Sequence, residues 1–396
     1  MIQYIGKIIA GIFGNDPDNN YFSGYMMKNS IRLFMLQGFS LALGFLSNYI
    51  LIQLAGVNIY GSYVYIFNLL YLLSGFCIFG MDTLLVKKVS VYDADGKFSK
   101  LKGVILFAIG IAIAGSIIIT IVSEFIIRYS GITKKFSNIN WVILAFPVLL
   151  MLSISLINQA SLQGLRKVFL SQLTEKALRP LLILLGIVIF FYSRKEITLE
   201  EMVWINVTGI SVAMLITSFL HKKSIGFKIK NIKAKYHFSG WSNSAFSFFI
   251  AGIFYVLNSR VNIFFLGLLK GNGEVGIYNI ILKISEAIGF VLITTNFVLA
   301  PVIAKLFSNG EILQMQRLIT RSAKIVLLIS FPVLLAILVF NRDILLFFGY
   351  EFLDGQQALL ILCGGQLINI LSGSVGLLLM MTGNQRFSIY SLAIST

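Results

Sequence analysis

Residues 102–123 of the chain read KGVILFAIGIAIAGSIIITIVS, and no side chain after Lys102 in this stretch is charged. A helix crosses a hydrocarbon core of about 30 Å with roughly 20 residues, so this stretch is long enough to span a bilayer. Comparable apolar stretches recur from residue 30 to the end of the sequence. Because backbone polar groups in lipid must bond to one another, the repeated pattern predicts a bundle of transmembrane α-helices.

The composition excludes an ordinary soluble domain. Of the 396 residues, 57% are hydrophobic and 12% are charged, whereas about 25% of the residues of a soluble domain are charged. Hydropathy and helix-breaking residues predict ten complete spans and the start of an eleventh at 387–396. The ten spans are 30–53, 60–82, 102–123, 141–162, 170–191, 202–220, 240–268, 277–304, 319–340 and 356–382.

The basic residues indicate the orientation of the spans. The sequence has 32 Lys and Arg against 16 Asp and Glu, a net charge of +16. With these spans, 23 basic residues fall in loops on one side and 7 on the other, and Arg260 and Lys283 lie inside spans. Cytoplasmic loops carry the excess of Lys and Arg, so we predict a multi-pass protein of the bacterial inner membrane with a cytoplasmic N-terminus. Anionic membrane lipids are the expected partners of these loops, and nucleic acid is not.

A weak internal repeat predicts two lobes. Asn29-Ser30 and Gly61-Ser62-Tyr63 recur as Asn243-Ser244 and Gly276-Ile277-Tyr278, at offsets of 214 and 215 residues. Six predicted spans separate the copies, so an axis along the membrane normal would relate the two halves. We expect an N-terminal interfacial or flexible segment at 1–27, an N-terminal lobe at 28–220, a basic cytoplasmic linker at 221–239 and a C-terminal lobe at 240–396.

Several stretches carry a resemblance to a known family. They are KNSIRLFMLQGFSLALGF at 28–45, GVNIYGSYVY to LLVKKVS at 56–90, INQASLQGLRK to RPLLILL at 157–185, and GEVGIYNIILK to AKLFSNG at 273–310. In this order they resemble the polysaccharide transporter and O-antigen flippase family of the multidrug/oligosaccharidyl-lipid/polysaccharide exporter (MOP) superfamily. The resemblance covers nearly everything after residue 27.

The resemblance implies both a fold and a function. The fold is an all-α integral membrane protein with two pseudo-symmetric six-helix lobes around a central cavity. The function is a flippase that moves undecaprenyl-pyrophosphate-linked oligosaccharide, a unit of O-antigen (lipopolysaccharide), capsule or exopolysaccharide, to the outer leaflet by alternating access. Its partners would be this lipid-linked oligosaccharide and other proteins of polysaccharide assembly. The sequence stops in the eleventh span, so the second lobe is expected to be truncated.

A pyrophosphate headgroup that passes the bilayer centre needs cationic partners, because a charge in hydrocarbon is costly. Arg260 is the clearest intramembrane cation, and Asn258 and Asn262 flank it. At about 100° per residue the two Asn side chains lie about 40° apart with Arg260 opposite, so all three face one cavity only if the helix bends. We predict that these three residues bind substrate. The alternative for Arg260 is snorkelling to the surface or pairing with a neighbouring helix.

A second polar stripe lies on the eighth predicted span, where Asn279, Lys283 and Glu286 share one helical face. We predict that Asn279 and Lys283 contact substrate and that Glu286 couples transport to an ion by changing its protonation. The alternative is that Lys283 and Glu286 pair locally and snorkel to the surface.

Three further charged residues lie in or near predicted spans. Arg32, in the first turn of the first span, is predicted to bind substrate at the cytoplasmic mouth; the alternative is a simple positive-inside anchor. Glu175 and Arg179 are four residues apart, so we predict that they satisfy one another.

No catalytic, cofactor or metal site is predicted, and we do not expect an enzyme. His221 and His237 lie in the basic linker, away from Cys77 and Cys363 in apolar stretches, so they form no ligand set or nucleophilic group with them. Two other functions stay open. A drug or cation antiporter of the same superfamily would have a more acidic cavity, and a membrane polysaccharide polymerase or transferase usually carries a large outer loop.

Overall fold

A computed structural model describes residues 20–129, 141–193, 197–308 and 310–382, and these ranges contain helices and no β-strand. The prediction of an all-α protein is confirmed. Thr174–Leu178, between α5 and α6, is a π turn, and Tyr350–Gly355, between α11 and α12, is a 3-10 helix. The α-helices are α1 (Asn20–Cys77), α2 (Met81–Ala94), α3 (Phe98–Tyr129), α4 (Trp141–Gly164), α5 (Val168–Leu173), α6 (Arg179–Ser193), α7 (Leu199–Ile229), α8 (Phe238–Leu269), α9 (Asn272–Ser308), α10 (Ile312–Val339), α11 (Asn341–Phe348), α12 (Gln356–Ser372) and α13 (Val375–Met381).

Many of these helices suit a membrane. Among the described residues, six helices are long and apolar enough to cross one, and α8 makes a seventh if its two halves form one broken span. All ten predicted spans lie mainly on helix, although α6 and α12 are only 15 and 17 residues long. The predicted eleventh span at 387–396 and residues 1–19 of the predicted N-terminal segment lie outside the described residues.

The loop expected between the first two spans is replaced by a break at a single residue. α1 runs for 58 residues and is interrupted at Gly56, whose φ of 74° and ψ of 166° are not helical. This backbone conformation is essentially restricted to glycine, because a Cβ atom would collide with the main chain. Gly56 therefore joins the two predicted spans without a loop.

Gly56→Ala is expected to destabilise the protein by about 1–3 kcal/mol, because a Cβ is strained in this conformation. Apart from the adjoining main chain, no atom lies within 4 Å of the place a Cβ would take, so the cost is conformational. Gly44→Ala is the matched control, since Gly44 has equally open surroundings but lies in regular helix. Thermal unfolding in detergent should show a lower midpoint for Gly56→Ala alone, and equal midpoints for the two variants would contradict the strain.

The second predicted span ends earlier than expected, at Cys77 rather than at residue 82. Phe79 and Gly80 have φ values of 49° and 70°, and these left-handed residues end α1 and let α2 begin at Met81. A Cβ on Gly80 would lie 2.5 Å from the carbonyl oxygen of Ala245 in α8. Glycine at this turn therefore allows α8 to pack directly against its backbone.

The described chain forms two compact units. The first unit is Leu54–Asn272, and the second combines α1 up to Gln53 with the chain from Gly273 onward. In the first unit α4 packs against α2, α3 and α7, and α2 packs against α8. In the second unit α10 packs against α12. The predicted lobes at 28–220 and 240–396 and the segments at 1–27 and 221–239 stay predictions.

Hydrogen bonds join the segment after α7 to α3. α7 continues to Ile229, so the start of the predicted linker is helical. The backbone nitrogen of Lys235 donates to the carbonyl of Ser99 across 3.0 Å, and the ammonium of Lys102 donates to the carbonyl of Ile232 across 2.9 Å. These bonds fix the position at which α8 begins.

Candidate functional site

The polar centre of the first unit lies next to a bend in α8. The two halves of this helix, Phe238–Phe254 and Ser259–Leu269, meet at an angle of 52°. Arg260 follows the bend and is half-buried. Its Nη1 donates to Oδ1 of Asn68 across 3.3 Å, and Nδ2 of Asn68 donates to the backbone carbonyl of Arg260 across 3.1 Å. Asn68, which is buried, thus holds both the main chain and the side chain of Arg260 against α1.

Tyr71, one helical turn after Asn68, brings a second arginine to the same place. The guanidinium carbon of Arg260 lies 5.3 Å from the centroid of the Tyr71 ring, and that of Arg179 lies 5.1 Å from it. The two guanidinium carbons are therefore at most 10.4 Å apart. Because an aromatic face attracts cations, the shared ring offsets part of the repulsion between the two like charges.

Arg179 is the first residue of α6 and is 7% exposed. Its Nη1 donates to Oε2 of Glu175 across 3.1 Å, so the pair predicted from their spacing is confirmed. Its Nη2 donates to Oδ1 of Asn206 across 2.8 Å, and Asn206 donates to the hydroxyl of Tyr63. Nε of Arg179 is buried and has no hydrogen-bond partner among the described residues. Arg179 is therefore held from two sides and keeps an unused donor.

The π turn at Thr174–Leu178 positions Glu175 next to this arginine. The hydroxyl of Thr217 in α7 donates to that of Thr174 across 2.7 Å, which ties the turn to α7. The Glu175 side chain is 22% exposed, compared with 8% for Arg179, so the carboxylate is the more accessible member of the pair. π turns are rare and often lie at functional sites.

We call these six residues the arginine cluster: Asn68, Tyr71, Glu175, Arg179, Asn206 and Arg260. Its charged groups are two guanidinium groups and one carboxylate. Burying an ion costs several kcal/mol unless other groups compensate it, and here the amides, the ring and the carboxylate do so. A site with more positive than negative charge among apolar helices is suited to bind an anion with phosphate-like oxygens.

The structure places one predicted residue trio only partly in this site. Arg260 belongs to the arginine cluster, whereas Asn262 on the same helix is exposed. The side chain of Asn258 lies outside what the structure describes. α8 does bend, but the break lies before Ser259, so Arg260 and Asn262 remain on opposite sides of its second half. The binding roles of Asn258 and Asn262 stay predictions.

The other predicted residues belong to the second unit. Asn279 on α9 is buried, Lys283 is half-buried and Glu286 is exposed, and each makes at least one polar or electrostatic interaction. Arg32 is exposed on α1. Their roles in substrate binding and ion coupling stay predictions.

Of the arginine cluster, sequence reasoning predicts only Arg260 as a site residue and misses the other five members. Asn68 and Asn206 are isolated amides within apolar helices, and such residues usually face other protein rather than lipid. That signal, together with Tyr71 three residues after Asn68, marks the faces that meet here. The spacing of Glu175 and Arg179 predicts a local ion pair, whereas the contacts of Arg179 with Tyr71 and Asn206 depend on the tertiary fold.

Metal binding has no support in the described ranges, where no three His, Cys, Asp or Glu side chains come together as a ligand set. Cys77 and Cys363 are buried and do not form a disulfide.

The sequence matches the family described as polysaccharide biosynthesis protein over residues 26–307. The chain belongs to this family. The predicted resemblance is thereby confirmed. Residues 248–396 also match the MatE family. No curated protein matches the sequence of this polysaccharide biosynthesis family member.

Solved structures show that this family member has the fold of MATE transporters of the MOP superfamily. A MATE in complex with MaD5 is 13% identical with a TM-score of 0.67, over 92% of this chain and 85% of that one. A MOP superfamily transporter from Pyrococcus furiosus, described by the reverse polarity of its binding pocket, is 14% identical with a TM-score of 0.66, over 92% and 84%. An inward-facing MATE multidrug resistance transporter is 13% identical with a TM-score of 0.62, over 90% and 83%. The multi-pass membrane fold is therefore established.

Proposed function

We propose that the protein is a flippase that translocates undecaprenyl-pyrophosphate-linked oligosaccharide from the cytoplasmic to the outer leaflet by alternating access. Membership of the polysaccharide biosynthesis family supports a glycan substrate. The fold of MOP transporters supports movement of a solute across the bilayer rather than covalent chemistry. The glycan would be a repeat unit of O-antigen, capsule or exopolysaccharide.

The observation that carries the proposal is the pairing of Arg260 and Arg179 around Tyr71 in the first unit. A pyrophosphate group is a strong anion, and guanidinium groups bind phosphate oxygens with two parallel hydrogen bonds. Two such groups in an apolar helical unit provide the charge that an anionic headgroup needs away from water. Arg260 is the primary headgroup contact in this proposal because it is the more exposed of the two.

The remaining assignments extend this proposal. Lys283, Asn279 and Arg32 would contact the substrate, and Glu286 would couple transport to an ion. Asn258 and Asn262 would contact the sugar or headgroup near Arg260. The protein would lie in the bacterial inner membrane with its N-terminus in the cytoplasm, next to other proteins of polysaccharide assembly.

A drug or cation antiporter is the second candidate, because residues 248–396 match the MatE family and the fold is shared with multidrug transporters. A site that takes cationic drugs needs a negative balance of charge. The arginine cluster has the opposite balance, with two guanidinium groups and one carboxylate. The flippase is therefore the better-supported function.

Deletion of the gene tests the proposal. We expect lipid-linked oligosaccharide to accumulate on the cytoplasmic leaflet and surface glycan to fall, and we expect the intact gene to reverse both effects. Leaflet position can be measured by accessibility of the glycan to a membrane-impermeant glycosidase in oriented vesicles. An unchanged leaflet distribution with increased sensitivity to cationic drugs would favour the antiporter instead.

A further inference from the structure

We propose that, without substrate, the Glu175 carboxylate occupies the place on Arg179 that the second phosphate of the substrate takes. Arg179 then binds a diphosphate only when the ligand displaces this carboxylate. The inference rests on the proposed function, because it specifies which phosphate chemistry the arginine cluster takes. It assigns to Glu175 and Arg179 a role beyond a structural ion pair.

The first support is the state of the Arg179 side chain. The carboxylate of Glu175 takes one donor, Asn206 takes another, and Nε has no partner among the described residues. A guanidinium group carries five N–H donors in one plane. Replacing one oxygen anion by another at Nη1 leaves the bond to Asn206 in place, and a phosphate can add bonds that a single carboxylate oxygen does not make.

The second support is the distance between the two arginines. The two guanidinium carbons lie 5.1 Å and 5.3 Å from the centroid of the same ring, so they are at most 10.4 Å apart. We infer that both are within reach of one ligand with two linked phosphates. A single phosphate that binds Arg260 gains nothing from Arg179 while Glu175 is in place. The cluster thus favours a diphosphate over a monophosphate.

The third support is that Glu175 can leave. Its side chain is 22% exposed, whereas that of Arg179 is 8% exposed, so the exchange begins at the accessible partner. The neighbouring Lys176 is close enough to attract the carboxylate electrostatically, which gives the displaced group another cation. Among the described residues, Arg260, Tyr63 and Tyr71 are further charged or titratable groups that interact with Arg179.

The exchange has a consequence for transport. A carrier must bind its substrate tightly enough to load it and weakly enough to release it on the other side. A carboxylate that returns to Arg179 competes with the diphosphate and so assists release. Glu175 would therefore lower affinity and raise turnover.

Calorimetric titration of the purified full chain with inorganic pyrophosphate and with inorganic phosphate tests the inference. We expect the wild type to bind pyrophosphate more tightly than phosphate. In Glu175→Gln, pyrophosphate affinity should rise on the order of tenfold, the size of one charge-assisted hydrogen bond, and phosphate affinity should rise less. Glu200→Gln, which neutralises an exposed glutamate at the start of α7, is the matched control and should match the wild type.

A second variant decides the question even if Glu175→Gln folds poorly. Glu175→Gln/Arg179→Gln removes both charges and should reduce pyrophosphate affinity to the level of phosphate. Wild-type pyrophosphate affinity in this double variant, or unchanged affinity in folded Glu175→Gln, would overturn the inference alone. If the wild type binds neither anion and folded Arg260→Ala exports the lipid-linked oligosaccharide at the wild-type rate, the proposed headgroup site is itself wrong.

Discussion

Arg260→Ala is expected to reduce export of the lipid-linked oligosaccharide at least about a hundredfold, because charge-assisted hydrogen bonds to phosphate contribute roughly 1.5–3 kcal/mol each and two are lost. Arg260→Lys should recover part of the rate, since an ammonium keeps the charge but lacks the planar pair of donors. The rate is measured as appearance of surface glycan after expression is induced in the deletion strain.

Lys270→Ala is the matched control for this loss. Lys270 follows the end of α8, is exposed and lies ten positions after Arg260 on the chain, so its removal should leave export unchanged. Thermal unfolding must show that Arg260→Ala is still folded, because its bond to Asn68 is also lost. Export at the wild-type rate by folded Arg260→Ala would reduce this residue to a packing role.

The second large effect concerns the ion pair of Glu175 and Arg179. Removing one partner of a buried pair typically costs about 3–5 kcal/mol, because the other charge remains in a poor environment. The Arg179 side chain is 8% exposed and the Glu175 side chain is 22% exposed, so we expect Glu175→Gln to lie near the lower end of this range. Arg179→Gln should cost a comparable amount, since it also leaves the bond to Asn206 weaker.

The double variant Glu175→Gln/Arg179→Gln separates pairing from packing. Because both charges are gone, it should be more stable than either single variant, which corresponds to a coupling energy of about 0.5–3 kcal/mol. Thermal or denaturant unfolding in detergent gives the comparison. If the double variant loses as much stability as the two single variants together, the two residues do not act as a pair.

Much of the fold could be predicted because lipid restricts what a chain can do. A stretch such as 102–123 has no charged residue after Lys102. Within hydrocarbon a helix satisfies the backbone hydrogen bonds of such a stretch internally. α3 covers that stretch as predicted. The same argument placed helix in all ten predicted spans.

The breaks within helices were harder to predict. Gly56 lies between the predicted spans 30–53 and 60–82, where a short loop is expected, and only the backbone angles show that a single residue makes the break. The end of α1 at Cys77 depends on left-handed Phe79, a conformation that a bulky residue rarely adopts. Packing of α8 against this turn stabilises it, and such packing cannot be derived from local sequence.

The site could be predicted in part. An arginine inside an apolar span is conspicuous in any sequence, so the sequence alone predicts a functional role for Arg260. Arg179 was not, because a glutamate at i−4 explains it locally. Its contact with Tyr71 joins residues more than one hundred positions apart on different helices. Only the fold shows that Arg179 and Arg260 both contact the ring of Tyr71.

Reconstitution of the purified full chain into proteoliposomes tests the central claim most directly. The measurement is the rate at which undecaprenyl-pyrophosphate-linked oligosaccharide in one leaflet becomes accessible to an impermeant glycosidase on the other side. We predict a rate well above that of empty liposomes, inhibition by added pyrophosphate and loss in Arg260→Ala. A rate equal to that of empty liposomes, with uptake of a cationic dye by the same vesicles, would contradict the account.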